Sequence, residues 1–255
     1  MILRRGRRAV ALAWALLLCM LRLLQLRMRG PLNPVKRALW LQSACRGVVS
    51  SLGIRCRVTG NPPSHGLVVS NHLSYLDIAC FSAVMPCVFV SKAEVRQWPY
   101  FGLAASAGGT LFLDRTSRAS AARAAGEMCE RLKLAVPVLL FPEGTSTDGS
   151  QVLRFHSSLF QPAIDAGAPV TAAAVRYVSA GDLKESEICW FGDAGFLDHM
   201  WKLLAAPDFS AEITFSEPVT YSDRRGAAAA AHDCVTAMRE AMICPIESVS
   251  PASRT

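Results

Sequence analysis

The chain has 255 residues, of which 51% are apolar, and its formal net charge is +7. This length accommodates one α/β domain with a full core and a short appendage. Residues 1–76 contain twelve Lys or Arg and no Asp or Glu, whereas the remainder contains fifteen basic and twenty acidic residues. A uniformly basic region of this kind could bind either nucleic acid or an anionic membrane. Its basic residues alternate with Leu rather than with stacking aromatics, which argues against a nucleic-acid partner and favours an anionic membrane surface.

The nine cysteines are an odd number, and no two of them have CxxC spacing. We therefore expect reduced thiols in a cytosolic environment, most of them packed in the core, and no zinc site.

The N-terminal segment begins with four arginines between residues 4 and 8, followed by an apolar run over residues 9–21. Arg22 interrupts this run, and Arg27 and Arg29 close its extension. A spanning helix needs about twenty apolar residues, so a run of thirteen predicts a helix retained at the membrane surface or half inserted. A transmembrane helix and a cleaved signal peptide remain alternatives, although no clean cleavage site follows.

The helix-breaking pairs Gly30-Pro31 and Asn33-Pro34 come next, and a second apolar, basic helix is predicted over residues 35–52. Together the two helices would form a hairpin in the headgroup layer. We divide the chain into membrane-associated helices (1–52), an α/β domain (53–244) and a flexible tail (245–255).

The body alternates short β-rich runs with helical patterns. Strands are predicted at residues 56–59, 66–70, 87–91, 110–113, 136–141, 170–177 and 212–215. Helices are predicted at residues 76–84, 117–134, 159–166 and 227–242. This alternation predicts an α/β fold with a mixed, mostly parallel sheet flanked by helices, in which loops at the carboxyl ends of strands carry the chemistry. The loops after the second, fourth and fifth strands have the chemically loaded sequences.

The first of these loops contains Ser70-Asn71-His72-Leu73-Ser74-Tyr75-Leu76-Asp77. Asp77, early in the next helix, can accept a hydrogen bond from one imidazole nitrogen of His72 and so make the other nitrogen a base. No G-x-S-x-G elbow supplies a protein nucleophile, which indicates that the substrate brings its own hydroxyl. A structural His–Asp pair is the alternative interpretation.

The second loop follows Gly109-Thr110-Leu111-Phe112-Leu113-Asp114-Arg115. Arg115, at the end of an apolar strand, can grip a phosphate through bidentate hydrogen bonds. A strand-end salt bridge or a solvated arginine would account for the same residues.

The third loop is Phe141-Pro142-Glu143-Gly144-Thr145-Ser146, in which a buried strand runs into a tight turn. Gly144 allows close backbone approach, and its neighbours offer donors to an anion. Glu143 would bind a glycerol hydroxyl or hold Arg115 in place. The alternative is an ordinary strand-to-helix turn with polar caps.

As a set, these motifs resemble the signature of the glycerolipid acyltransferase family, whose best-known bacterial members are 1-acylglycerol-3-phosphate acyltransferases. The resemblance covers residues 55–176. It implies that His72 is the general base and Asp77 its orienter. The glycerol phosphate end would be bound by Arg115, Glu143, Gly144 and Thr145.

The resemblance also implies the reaction. A fatty acyl group would pass from acyl-CoA or acyl carrier protein to the free hydroxyl of 1-acyl-sn-glycerol 3-phosphate, giving phosphatidic acid. The thioester is already activated, so no metal and no cofactor are expected. The lysophospholipid, the acyl donor and an anionic membrane are the expected partners, and the cytoplasmic face of the inner (cell) membrane is the expected location.

One departure from the family pattern concerns Ser146, because members that take glycerol phosphates often carry Arg at this position. Here Thr147-Asp148-Gly149 follows, which is similar to members proposed for other lysolipids. Lyso-ornithine lipid or another lysolipid is therefore the alternative acceptor. Lys92 and Arg154 are candidate replacements for the missing charge, or solvated surface residues.

Two other function classes fit parts of the pattern. In a hydrolase, His72 would activate water, but the absence of a serine elbow disfavours this class. A non-catalytic membrane protein could retain the fold, although intact His72, Asp77 and Glu143 argue against loss of activity.

Overall fold

The computed structural model describes residues 2–98, 101–113 and 118–243. Two long helices, α1 (Ile2–Met28) and α2 (Pro34–Leu52), come first. The strands that follow are β1 (Ile54–Thr59), β2 (Leu67–Ser70), β3 (Val88–Lys92), β4 (Leu111–Leu113), β5 (Val138–Leu140), β6 (Val170–Ser179) and β7 (Phe209–Phe215). The other helices are α3 (Leu76–Val84), α4 (Phe101–Gly108), α5 (Arg118–Leu132), α6 (Gln161–Ala166), α7 (Glu185–Ile188), α8 (Phe196–Ala205) and α9 (Arg224–Ile243), with 3₁₀ segments at Ala93–Gln97 and Ser157–Phe160.

Within the described ranges, the strands form one sheet in the order β1-β7-β6-β2-β5-β3-β4. Neighbours are parallel except β6 and β7, which pair antiparallel. The predicted α/β fold with a mixed, mostly parallel sheet is thus confirmed. Because β2, β5, β3 and β4 are parallel neighbours, their carboxyl ends meet at one edge, which is where ligands bind in such sheets.

Two apolar layers sandwich the sheet, as the alternation along β2 shows. Val68 belongs to the cluster under α1, α2, α3 and α8. Leu67 and Val69 point the other way, into the cluster under α5, α6 and α9. All three side chains are fully buried, so the central strand is apolar on both faces, as expected for a parallel sheet with covered faces.

The predicted break between the first two helices is observed. Asn33 caps α2 by accepting a hydrogen bond from the backbone N–H of Lys36 at 2.8 Å, and Pro34 occupies the first turn, where its missing N–H costs nothing. Gly53 ends α2 with φ of 73°. A Cβ there would lie 2.2 Å from an Arg8 nitrogen, so a larger residue would adopt a strained conformation and displace the Arg8 side chain.

Helix α1 packs against α2 and α8. Its start is fixed by Arg8, which is 3% exposed and donates to the carbonyl oxygens of Leu203 (3.2 Å) and Ala206 (2.7 Å). Arg8 also pairs with Asp208 at 2.6 Å. Farther along, Trp40 of α2 donates to the Cys19 carbonyl at 3.1 Å.

Among the described helices, α1 alone has the length and apolar composition to cross a bilayer, a property that an N-terminal signal sequence would share. Only 11% of the most apolar 18-residue stretch of α1 is buried, so this helix has a broad exposed apolar surface. The exposed apolar residues of α1 include Val10, Trp14, Leu17, Leu21 and Leu24.

Every predicted strand coincides with an observed strand, and α3 has the predicted bounds. Helices α4, α7 and α8 were not predicted. The boundary placed at residue 244 and the tail 245–255 lie outside the described residues.

Candidate active site

His72 follows the carboxyl end of β2, and its imidazole is held by Asp77. Nδ1 of His72 lies 2.7 Å from Oδ2 of Asp77. An ionised carboxylate only accepts, so Nδ1 carries the proton and Nε2 is left with a free lone pair. The His72 side chain is 20% exposed, whereas that of Asp77 is fully buried.

Asp77 lies in the first turn of α3 and accepts three further hydrogen bonds. Its Oδ2 receives the backbone N–H groups of Leu73 (2.7 Å) and Ser74 (3.0 Å). Its Oδ1 receives the hydroxyl of Tyr177, on β6, at 2.5 Å. Burial, with the nearby Asp77 charge, raises the pKa of Tyr177 well above its ordinary value, so this hydroxyl stays a donor. Tyr177 was not among the residues predicted from the sequence.

Two other side chains fix the turn that carries His72. The amide of Asn71 accepts from the backbone N–H of Val175 at 2.9 Å and donates to its carbonyl at 3.0 Å, which extends the pairing of β2 with β6 by a side chain. The ring of Phe141 stacks on the imidazole, with centroids 4.1 Å apart and planes 13° from parallel. Both residues belong to the predicted motifs, but these contacts were not anticipated.

Glu143 reaches His72 from the loop after the neighbouring strand β5. Its Oε1 accepts from the His72 backbone N–H at 2.8 Å, and its Oε2 accepts from that of Leu153 at 2.9 Å. Burial raises the pKa of Glu143 to about 7, although these two hydrogen bonds act in the opposite direction. Both oxygens therefore brace the loops, and a direct contact of Glu143 with substrate stays a prediction.

The next three residues form the rim of the site. Gly144 has φ of 76°, and a Cβ there would lie 3.4 Å from the ring of His156. Thr145 is exposed. The Ser146 hydroxyl donates a hydrogen bond to the Trp190 carbonyl oxygen at 2.6 Å. The backbone N–H of Trp190 in turn donates to the Leu73 carbonyl oxygen at 2.8 Å.

These loops enclose a largely apolar cavity of about 370 Å³. Its lining includes His72, Tyr75, Ile78, Phe89, Val90, Lys92, Trp98, Leu113, Phe141, Gly144, Thr145, Ser146, Trp190 and Phe191. Among the described lining residues, Lys92 is the one Lys or Arg. Arg154 is exposed and not among them, and Arg115 lies outside the described residues.

The fold and this geometry can be compared with known proteins. A sequence profile of the Acyltransferase family matches residues 55–176. The lyso-ornithine lipid O-acyltransferase of Rhodobacter capsulatus is 36% identical over 250 residues, which cover 94% of this chain and 89% of that protein. This chain belongs to the acyltransferase family. The 1-acyl-sn-glycerol-3-phosphate acyltransferase of Neisseria meningitidis serogroup B is 35% identical over 173 residues, covering 67% of this chain and 68% of that protein.

A solved relative shares the architecture of this acyltransferase. The crystal structure of the 1-acyl-sn-glycerophosphate (LPA) acyltransferase PlsC from Thermotoga maritima superposes with a TM-score of 0.65. The superposed region covers 94% of this chain and 98% of the PlsC chain, with 19% sequence identity. The likeness therefore concerns the fold.

The site of this acyltransferase brings together five of the six residues singled out from the sequence: His72, Asp77, Glu143, Gly144 and Thr145. An imidazole whose Nδ1–H is held by a buried carboxylate can accept a proton at Nε2 from a hydroxyl placed in the cavity. Within the part of the chain that the structure describes, no serine or cysteine is hydrogen-bonded to His72, as a protein nucleophile activated by this base would be.

Proposed function

We propose that this acyltransferase moves a fatty acyl group from an acyl thioester to the free hydroxyl of a lysolipid, with His72 as the general base. The observation that carries the proposal is the 2.7 Å contact between His72 and the buried Asp77, at the wall of an apolar cavity. Relatives that are 36% and 35% identical are named for lyso-ornithine lipid and 1-acyl-sn-glycerol-3-phosphate acyl transfer, which supports a lysolipid acceptor.

In the proposed reaction, Nε2 of His72 takes the proton of the acceptor hydroxyl as that oxygen attacks the thioester carbonyl carbon. The resulting tetrahedral oxyanion collapses, the C–S bond breaks, and the departing thiolate takes the proton from the imidazolium. Asp77 keeps Nδ1 protonated and stabilises the transient imidazolium. The thioester supplies the activation, so the proposed reaction needs neither a metal nor a cofactor.

The other predicted residues would act on the acceptor headgroup. Gly144 and Thr145 line the cavity and would bind the glycerol end, and we propose Arg115 as a phosphate ligand on the basis of its motif alone. Glu143 would contribute by holding the His72 turn in register, because both of its oxygens are engaged with backbone N–H groups.

The first candidate acceptor is 1-acyl-sn-glycerol 3-phosphate, which would give phosphatidic acid. A specific observation favours lyso-ornithine lipid as the second. The Ser146 hydroxyl is bound to the Trp190 carbonyl, so this position fastens a loop over the cavity instead of presenting a cation. A phosphate monoester needs such cations, whereas an amino-acid headgroup carries charges of both signs.

We further propose that the protein works at the cytoplasmic face of the cell membrane, with the helices of residues 1–52 at the lipid surface and the α/β domain from residue 53 onward above it. The exposed apolar side of α1 supports this placement. So does the excess of Lys and Arg in residues 1–76, since each basic residue near an anionic surface contributes about 1 kcal/mol. Trp98 and Phe191, which line the cavity, are also exposed apolar residues.

Product identification tests this function. The full-length protein, purified in detergent, is offered labelled acyl-CoA or acyl carrier protein together with each lysolipid separately, and the lipids are resolved by mass spectrometry. We expect a diacylated product from at least one acceptor. Release of free fatty acid without acylated lipid would instead establish a hydrolase and overturn the proposal.

A further inference from the structure

A second, larger cleft lies beside the catalytic cavity and is rich in arginine. Its volume is about 640 Å³. Arg37 enters from α2, Arg96 from the 3₁₀ segment Ala93–Gln97, and Arg123 and Arg131 from α5. Glu127 is the single acidic residue among its described lining residues. We call this site the arginine cleft.

The arginines of the cleft are only partly neutralised. Among the described residues, neither Arg123 nor Arg131 forms a salt bridge or a hydrogen bond. Arg37 donates to the carbonyls of Leu32 and Ser106, each at 3.1 Å, which bear no full charge.

Two of these guanidinium groups are also brought close together. A Cβ at Gly109 would lie 3.4 Å from Cδ of Arg37 and 3.9 Å from Nη1 of Arg131, so both side chains flank the same glycine. Both are half-buried. Burial, and after it the charge of Arg37, lowers the pKa of Arg131. Like charges held together in a partly desolvated cleft repel, and a bound multivalent anion would relieve that repulsion.

The arginine cleft and the catalytic cavity share a wall. Leu111 and Phe112 of β4 line the cleft, whereas Leu113 lines the cavity. In the adjoining 3₁₀ segment, Arg96 faces the cleft and Val95 faces the cavity. A long ligand could therefore place one end beside His72 and the other among the arginines.

We propose that the arginine cleft binds the phosphate groups of the acyl donor while its thioester lies in the catalytic cavity. This inference rests on the proposed function. Acyl-CoA and acyl carrier protein share a phosphopantetheine arm, so each ends in phosphate at a distance from the thioester. Arginine suits such a group because its planar guanidinium binds phosphate oxygens in pairs.

Donors with and without phosphate provide the kinetic test. KM is measured for acyl-CoA, acyl carrier protein and acyl-pantetheine, which lacks phosphate, in wild type, Arg123→Gln, Arg131→Gln and Arg131→Lys. We expect each Gln variant to raise the KM for acyl-CoA about tenfold relative to that for acyl-pantetheine, the size of one lost contact to a charged group. Arg131→Lys should retain part of the affinity, because the charge remains. Arg123 is exposed, so its substitution tests the cleft without disturbing the core.

The matched control is Arg225→Gln, an exposed arginine on α9, a helix that packs against β6. It should leave every KM unchanged. An increase for acyl-CoA together with acyl carrier protein would assign the cleft to the shared phosphate, and an increase for acyl-CoA alone would assign it to the nucleotide phosphates. Equal increases for all three donors, or an increase in acceptor KM only, would overturn the proposal.

A binding measurement separates this proposal from the proposed function. Free CoA is titrated calorimetrically into His72→Ala and into the double variant His72→Ala/Arg131→Gln. Weaker CoA binding by about tenfold in the double variant would support the cleft even if no lysolipid were acylated. Equal CoA binding by the two proteins would refute the cleft while leaving acyl transfer intact.

Discussion

Asp77 is fully buried, and four donors surround its carboxylate: the His72 ring, two backbone N–H groups and the Tyr177 hydroxyl. This arrangement explains how one short loop can hold an imidazole in a single orientation. The hydrogen bonds within residues 72–77 are local and were predictable from the spacing. The contact from Tyr177 was not, because 100 residues separate it from Asp77 and only the pairing of β6 with β2 brings them together.

Replacing Tyr177 by Phe should lower kcat about tenfold, because the carboxylate loses a donor and holds the imidazole less firmly. The KM for the lysolipid should change little, since Tyr177 does not line the cavity. Steady-state kinetics at saturating donor measure both. Tyr221→Phe is the matched control, as Tyr221 is half-buried and packs against the apolar cluster on the other face of the sheet from α3. If the two variants had equal kcat, the assigned role of Tyr177 would be wrong.

Glu143 gives a pH dependence whose sign can be stated. Burial raises its folded-state pKa from 4.5 to about 7, so between these values the folded protein holds a proton that the unfolded chain has lost. Stability from this group is therefore present below pH 4.5 and falls as the pH rises towards 7, by at most about 1.4 kcal/mol per pH unit.

Urea unfolding of wild type and Glu143→Gln at several pH values between 4.5 and 7 isolates this contribution. We expect the wild-type free energy of unfolding, minus that of the variant, to decrease as the pH rises. A difference that is constant or increases with pH would show that Glu143 does not titrate as its burial indicates.

Ser146→Arg should change the preference for acceptor. The substitution removes the hydrogen bond to Trp190 and adds a cation to the cavity rim. We expect the ratio of kcat/KM for lysophosphatidic acid over lyso-ornithine lipid to rise about tenfold, the effect of one charged contact. Ser146→Ala removes the hydrogen bond without adding charge and serves as the control. The same ratio in both variants would argue that charge at residue 146 does not select the acceptor.

At the level of elements, strands were easier to predict than their arrangement. The β-rich runs predicted all the observed strands, and the central ones, such as β2 (Leu67–Ser70) and β5 (Val138–Leu140), are buried apolar sequences, as expected in a parallel sheet. The position of β1 beside β7, and the antiparallel pairing of β7 with β6, depend on contacts between distant segments. Helix α4 was missed because it is short and contains Gly102 and Gly108, which are unfavourable within helices.

Helix α8 was missed although its amphipathic pattern is visible in the sequence. Leu203 and Leu204 are buried, whereas Leu197 and Trp201 are exposed. Arg5 of α1 lies over the Trp201 ring, 4.5 Å from its centroid. The partner of α8 is thus the N-terminal helix α1, nearly 200 residues away in the chain. The amphipathic pattern of α8 does not indicate which helix it packs against.

Arg8→Ala should loosen the start of α1. The change removes a buried guanidinium and leaves the carbonyls of Leu203 and Ala206 without this donor, at a cost of about 2 kcal/mol, while the Asp208 carboxylate stays solvated because its side chain is 58% exposed. Amide hydrogen exchange should become faster at the beginning of α1 and at the end of α8. Arg7→Ala, at an exposed position of the same helix turn, should exchange like wild type. Equal protection in the two variants would mean that Arg8 does not fix α1.

Across the whole molecule, basic charge and exposed apolar surface are concentrated in the N-terminal region, as expected of a protein that binds a lipid surface. The first 76 residues contain no acidic residue, and α1 presents an uncovered apolar side. The proposed catalytic residues His72 and Asp77 follow directly, at the carboxyl edge of the sheet, with exposed aromatic residues lining the cavity. We interpret this order as placing the acceptor hydroxyl beside His72 while the lipid chain remains near the bilayer.

The most direct test of this account compares acyl transfer by wild type, His72→Ala and His65→Ala, with labelled acyl-CoA and both lysolipids as acceptors. His65 is exposed and outside the cavity, so it controls for loss of a histidine. We predict that His72→Ala lowers kcat about a thousandfold, as expected for loss of a general base, while His65→Ala matches wild type. Wild-type turnover by His72→Ala on the acceptor that the enzyme uses would contradict it.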